Sequence, residues 1–198
     1  MSIVERNVAL VMARADLKGI PRHAVPVGYG IRPYAPGDEQ AWLEVQAAAD
    51  RYNEITLELF RREFGADPAL LGRRLFFLVD ADGAAIGAAA AWFADEHRGK
   101  PVGRVHWVAI RPTNQRRGLA KPLMSHVCVR LRELGHERAF LTTSSARIPA
   151  IALYLRFGFV PAIERPEHAA AWTELLRYVP ELAQHRLEPP GEAFSPTL

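Results

Sequence analysis

A chain of 198 residues that is 49% hydrophobic and 24% charged holds enough apolar side chains for a packed core, which excludes a disordered polymer. Its formal net charge is only +3 and no long Lys or Arg run concentrates it, so a solvated basic surface is expected and no nucleic-acid partner. The single cysteine, Cys128, excludes an internal disulfide and fits a reducing cytoplasm, while the apolar run Val8–Ala13 is too short for a signal core or a membrane span.

The length suits one domain with extensions, divided as an N-terminal extension (1–29), a central domain (30–180) and a poorly ordered C-terminal tail (181–198). Before Gly30 the chain reads as a lead-in with a short helix near Val8–Leu17, able to cover a cleft or mediate self-association as a homodimer. Gly30 to Tyr34 can form a first strand. Pro36-Gly37-Asp38 is a turn, and Asp38 suits the N-cap of a helix with Trp42, Val45 and Ala49 on one face. A second helix is expected from about Thr56 to Phe64, ended by Gly65. Leu75–Val79 and Ala85–Phe93 are apolar runs joined through Asp82-Gly83, a hairpin signal. Residues 94–102 read as a polar loop, and Arg104–Ile110 as the next strand.

Leu119, Leu123, Val127, Leu131 and Leu134 recur at helical spacing, and Gly135 ends that helix. Cys128 falls within this pattern as a core residue. Ala139–Thr142 is a strand reached through a helix, so it should lie parallel to Arg104–Ile110. Pro149 suits the first turn of a helix that stops at Gly158, and Phe159 begins another strand. Trp172–Val179 fits either a strand or a helix, and the chain from Pro180 onward, with Pro189, Pro190 and Pro196, reads as a tail.

The segment between the strand at Arg104–Ile110 and the helix at Leu119 holds the strongest chemical signal. A strand that stops at Pro112 enters a turn bearing Gln115, Arg116, Arg117, Gly118, Leu119 and Ala120. Unpaired N–H groups at a helix N-terminus, the helix dipole and two arginines suit such a turn to phosphate. It lacks the Gly-Lys-Ser/Thr of a Walker A loop and the three spaced glycines of a dinucleotide fingerprint.

Gln115, Gly118 and Ala120 fit the motif Gln/Arg-x-x-Gly-x-Gly/Ala, and Val108, Ile110 and Pro112 fit the strand that precedes it. Downstream, Ala150, Leu153, Tyr154, Phe157, Gly158 and Phe159 match Ala-x-x-Leu-Tyr-x-x-x-Gly-Phe. With both motifs in order, roughly Gly30 to Pro161 resembles the GNAT acetyltransferase superfamily. The resemblance implies an α/β fold: a mixed, largely antiparallel central sheet with a splayed parallel strand pair and helices on both faces. It implies acetyl-CoA as co-substrate, a small-molecule or peptide amine as acceptor, and direct attack in a ternary complex. No metal and no membrane partner are expected.

The resemblance also implies site roles. The turn from Gln115 through Arg116, Arg117, Gly118 and Leu119 to Ala120 would meet pyrophosphate. Main-chain groups of Val108 and Ile110 would pair with the pantetheine arm, and the N–H of Val108 or Ala109 would meet the oxyanion. Arg147 stands where the family commonly has Asn; Asn both donates and accepts, whereas Arg only donates, so Arg147 would reach a phosphate or an acidic acceptor instead. Arg156 would meet phosphate or be a solvated helix charge.

An alkyl ammonium near pKa ~10.4 is scarcely deprotonated at neutral pH, so a base is useful. His106, the only titratable base in its strand, either fills that role or is a structural histidine; alternation would place it with Arg104, Val108 and Ile110. Tyr154 would donate a proton to the leaving thiolate. A non-catalytic acyl-CoA-binding module is the alternative reading. Glu44, Glu54, Glu58 and Glu63 could attract an ammonium or form an ordinary solvated face.

Overall fold

The computed structural model describes residues 1–97, 100–163 and 166–185. Local chemistry sets the element boundaries. In α1 (Ile3–Arg6), the Ser2 hydroxyl and the Glu5 carboxylate form a reciprocal capping box, and Asn7 closes the helix in the left-handed region at φ 49°. β1 (Ala9–Arg14) follows. After β2 (Gly30–Pro33) comes α2 (Glu39–Ala49), then α3 (Leu57–Phe64), whose N-terminus is capped by the Thr56 hydroxyl accepting from the Leu59 N–H at 3.1 Å. Asp67 caps α4 (Pro68–Arg74), with Pro68 in its first turn. The antiparallel β3 (Leu75–Val79) and β4 (Ala85–His97) lead into β5 (Lys100–Ile110), a 3-10 turn at Pro112–Asn114 and α5 (Ala120–Glu133). The chain continues through β6 (Ala139–Ser144), α6 (Ile148–Arg156), β7 (Val160–Ala162), α7 (Pro166–Leu175) and a 3-10 turn at Pro180–Gln184.

The seven strands form one mixed sheet in the order β2-β3-β4-β5-β6-β1-β7. Its parallel pair is β5 and β6, in register at Gly103↔Ala139 and Arg104↔Phe140, as the intervening helix α5 predicts. β5 continues to Ile110 and β6 to Ser144.

The chain resolves into two compact units. One comprises Met1–Ile20, Phe93–Arg104 and Leu134–Leu198. Here β1 lies between β6 (Ala9↔Ser144 through Arg14↔Ala139) and β7 (Val11↔Ala162 through Ala13↔Val160), both antiparallel. Leu10, Val11, Met12 and Ala13 are all buried, the mark of a strand flanked by others and covered on both faces. The other unit comprises Pro21–Trp92 and Val105–Glu133. Its core is aromatic: the Trp42 ring meets Phe60, Phe64 and Trp107 edge-on at 5.2, 5.6 and 5.2 Å. Leu123, Val127, Cys128 and Leu131 bury the apolar stripe of α5.

Two expectations fail, each for a physical reason. The helix expected near Val8–Leu17 is the strand β1, because a short apolar run has no period that separates a buried strand from a buried helix. The polar loop expected over 94–102 is instead the end of β4 and the start of β5; Gly99 lies outside the described residues. Of the two alternatives open for Trp172–Val179, the helix holds at its start: Trp172 belongs to α7, which ends at Leu175, and a turn follows it. The chain past Pro180 first makes a 3-10 turn that buries Leu182, while Pro189, Pro190 and Pro196 lie outside the described residues.

Asp38 precedes α2, yet its side chain does not cap it. The carboxylate turns back to accept from the Ala35 N–H at 2.7 Å and from both terminal nitrogens of Arg32 at 2.6 and 2.9 Å. Burial pushes the Asp38 carboxyl up, but the Arg32 hydrogen bonds, the Ala35 N–H and the Arg32 charge outweigh it and hold the pKa below the ordinary 3.8. A depressed carboxyl pKa contributes stability above the unfolded value and loses it as pH falls through the folded one. The difference in urea midpoint between the protein and Asp38→Asn should therefore be full at pH 7 and shrink below about pH 4, the unfolded Asp value.

Gly158 ends α6 at φ 73°, and a Cβ there would sit 2.8 Å from an Arg14 nitrogen. That guanidinium cannot move freely, because it donates to the carbonyls of Phe157, Asp16 and Lys18. Gly158→Ala should cost at least the ~1–2 kcal/mol of a left-handed L-residue, measured by urea denaturation.

Candidate active site

β5 does not keep its alternation. Trp107 lies at φ 49°, an outlier for a bulky residue, so the strand breaks step between His106 and Ala109. As a result two consecutive side chains, His106 and Trp107, both reach α3. His106 Nε2 lies 3.0 Å from Glu63 Oε2, and the Trp107 indole N–H donates to the same oxygen at 3.2 Å. The expected sharing of one face by His106, Val108 and Ile110 rested on unbroken alternation, which this geometry removes. The Trp107 carbonyl accepts from Gln46 Nε2 at 2.9 Å, a bond from α2 that holds the irregular backbone.

His106 is 5% exposed and its ring packs 5.3 Å from Phe64, whereas the Glu63 side chain is 21% exposed. Glu63 is therefore the more accessible member of the pair. Another histidine of this unit, His126 on α5, meets Phe76 edge-on at 4.4 Å, and burial drives its pKa down.

The turn before α5 has the features of an anion cradle. Arg116 (φ 61°) and Gly118 (φ 77°) are left-handed and flank Arg117. Glycine takes the second of these conformations without the strain of a side chain, and such alternation aims successive N–H groups into a concavity. The N–H groups of Arg116, Arg117, Gly118 and Leu119 have no protein acceptor among the described residues. Gln115 closes the turn by donating from Nε2 to the Ile110 carbonyl at 2.9 Å. Arg117 is held by the Tyr29 hydroxyl and the Thr113 carbonyl, each at 3.2 Å, and Arg116 is exposed. Ala120 begins the 14-residue helix whose dipole points at this turn.

The remaining expected residues lie in the other unit. Tyr154, on α6, is 7% exposed, with its ring 6.4 Å from Phe159. Arg147 precedes α6 and is half-buried. Arg156 pairs with Glu181 at 3.3 Å, so its charge already has a carboxylate partner. Among the described residues, no group of three or more His, Cys, Asp or Glu could hold a metal ion. No helix among them is long and apolar enough to cross a membrane.

Glu63, Trp107 and Gln46 were not singled out as site residues from sequence. A signal for Glu63 exists. It falls four residues after Leu59 and three after Phe60, on the apolar stripe of α3, where an acidic residue is out of place unless something meets it. Gln46 likewise shares a helix face with Trp42, and is 2% exposed. The φ of Trp107 leaves no trace in composition.

A model of the acetyltransferase (GNAT) family matches residues 39–159. The mycothiol acetyltransferase of Pseudarthrobacter chlorophenolicus is 34% identical over 162 residues, covering 77% of this chain and 48% of that protein. The Streptomyces coelicolor mycothiol acetyltransferase is 32% identical over 157 residues, 74% of this chain and 48% of that protein. The chain thus spans about half the length of these curated relatives. Among solved structures, a GCN5-related N-acetyltransferase from Sphaerobacter thermophilus superposes with a TM-score of 0.64 at 25% identity, covering 79% of this chain and 49% of that one. The ribosomal-protein-S18-alanine N-acetyltransferase of Escherichia coli shares the fold at TM-score 0.55 and 22% identity, over 68% of this chain and 79% of that one.

Gln46→Leu would leave the Trp107 carbonyl without its side-chain donor inside the core. A buried unsatisfied polar group costs about 1–3 kcal/mol, so urea denaturation should show a loss of that size.

Proposed function

The chain belongs to the GNAT acetyltransferase family, and we propose that it transfers an acetyl group from acetyl-CoA to a primary amine by direct attack. The observation that carries this reading is the row of N–H groups from Arg116 to Leu119, without an acceptor among the described residues, at the head of α5. Such donors, with the helix dipole and the charges of Arg116 and Arg117, fit a pyrophosphate. When bound, acetyl-CoA supplies an activated thioester.

The protein's own groups do the rest. The turn from Gln115 to Ala120 anchors the nucleotide end of the thioester carrier. Main-chain groups of Val108 and Ile110 orient its arm, and the N–H of Val108 or Ala109 meets the developing oxyanion. His106 takes the ammonium proton, directly or through water, so that the amine attacks with a free lone pair. The Tyr154 hydroxyl returns a proton to the thiolate as the C–S bond breaks. Arg147 reaches a cofactor phosphate or an acidic group of the acceptor. The mycothiol acetyltransferases named above favour a small-molecule amine over a protein terminus as acceptor.

Calorimetry with acetyl-CoA tests the socket, and turnover against polyamines, amino sugars, amino acids and short peptides tests the chemistry. Tyr154→Phe should keep the wild-type acetyl-CoA affinity and lose roughly 10²-fold or more in kcat, the scale of general acid catalysis. No heat of binding with wild type sinks the reading; unchanged turnover in Tyr154→Phe removes Tyr154 as the acid.

A further inference from the structure

The segment just before β2 takes no part in the chemistry above, and the family match begins only at residue 39. Yet residues 21–29 reach from the middle of α5 to the turn at its head, within the same compact unit. At one end the segment is pinned to the helix: the His23 N–H donates to Ser125 Oγ at 3.0 Å, and the Ser125 hydroxyl donates to the Pro21 carbonyl at 2.8 Å. At the other end it turns, with the Tyr29 N–H on the Pro26 carbonyl at 3.2 Å and Gly28 at φ 85°, and enters β2 at Gly30. Tyr29 is thus fixed between a turn and a strand, and it is half-buried. Its hydroxyl oxygen accepts from Arg117 Nη1 at 3.2 Å, while Arg117 Nη2 donates to the Thr113 carbonyl at 3.2 Å. A guanidinium only donates, so the phenol oxygen is the acceptor in this pair and its own hydrogen is left over. Among the described residues that hydrogen has no acceptor.

We propose that Tyr29 is a phosphate-binding residue of the thioester-carrier site: its hydroxyl takes a hydrogen bond from Arg117 and donates its own hydrogen to a phosphate oxygen seated on the turn from Arg116 to Leu119. The two bonds reinforce one another. A guanidinium N–H on the phenol oxygen draws electron density from the O–H and makes it a better donor. Arg117, held on two of its nitrogens, keeps its charge beside the turn and has less rotamer freedom left to lose when an anion arrives. The segment ahead of β2 thereby becomes part of the binding site, fastened by Ser125 as well as by its own turn. This inference rests on the acyltransferase reading for the ligand and on geometry alone for the pairing of Tyr29 with Arg117.

The test uses the full chain with coenzyme A and with pantetheine, the same arm without its phosphates. Tyr29→Phe keeps the ring and removes only the hydroxyl. Calorimetry should show the coenzyme A Kd raised on the order of 10-fold, the scale of one hydrogen bond to a charged group. The KM for acetyl-CoA should rise by a similar factor while kcat is kept, because the lost bond holds ground state and transition state alike. In protein labelled with 13C at tyrosine Cζ, the Tyr29 signal, assigned by its loss in Tyr29→Phe, should move on adding coenzyme A and stay in place on adding pantetheine. In an Arg117→Gln background the loss from Tyr29→Phe should shrink without vanishing. An unchanged Kd in Tyr29→Phe, a Tyr29 signal that ignores coenzyme A, or a loss that vanishes in the Arg117→Gln background would each overturn the proposal, the last because Tyr29 would then act only through Arg117. Wild type that gives no heat with coenzyme A defeats the acyltransferase reading and this inference with it; coenzyme A that binds equally well with and without the Tyr29 hydroxyl defeats this inference alone.

Discussion

One irregular residue organises the candidate site. Trp107 takes a left-handed φ in the middle of β5, a conformation that a bulky side chain adopts only when its surroundings enforce it. The enforcing contacts are visible: Gln46 from α2 donates to its carbonyl, Glu63 from α3 accepts from its indole, and the Trp42 ring packs against it. Two helices therefore hold one strand out of step. His106 and Trp107, neighbours in the chain, thereby both lie against Glu63.

The same strand ends at the second chemically distinctive feature. β5 stops at Ile110, whose carbonyl receives Gln115 Nε2, and the chain turns through two left-handed residues into α5. The Gln of the motif thus closes the turn rather than presenting its amide to solvent. The arginines divide the remaining work. Arg117 is tethered to Tyr29 and Thr113, Arg111 to Glu44 at 3.0 Å, and Arg116 projects outward. One strand therefore leads from the candidate base to the candidate phosphate turn, within one compact unit.

The other unit depends on a strand whose role the composition conceals. β1 fills the position between β6 and β7, and the guanidinium at its end, on Arg14, holds the turn that closes α6. The N-terminal residues thereby support the helix that carries Tyr154. Ser145 joins the same structure, donating from its hydroxyl to the Ile3 carbonyl at 2.6 Å and accepting from the Val8 N–H at 2.8 Å.

Most signals that were local could be read from the sequence alone. Helical spacing from Leu119 onward, the helix start near Thr56, the stop at Gly65, the Asp-Gly hairpin and the crossover that makes β6 parallel to β5 all depend on residues near one another in the chain. The shape of the turn before α5 was legible for the same reason, since proline, glycine and arginine act over six or seven positions. Tertiary structure decided what depends on distant partners. Only the sheet shows that Val8–Ala13 contributes a buried strand, because its hydrogen-bond partners lie more than a hundred residues away. Asp38 turns to Arg32 rather than to the helix it precedes because a charged partner outbids a backbone N–H. Glu63 meets His106 through a left-handed φ at Trp107 that no propensity encodes: it exists because α2 and α3, folded from elsewhere in the chain, hold it there.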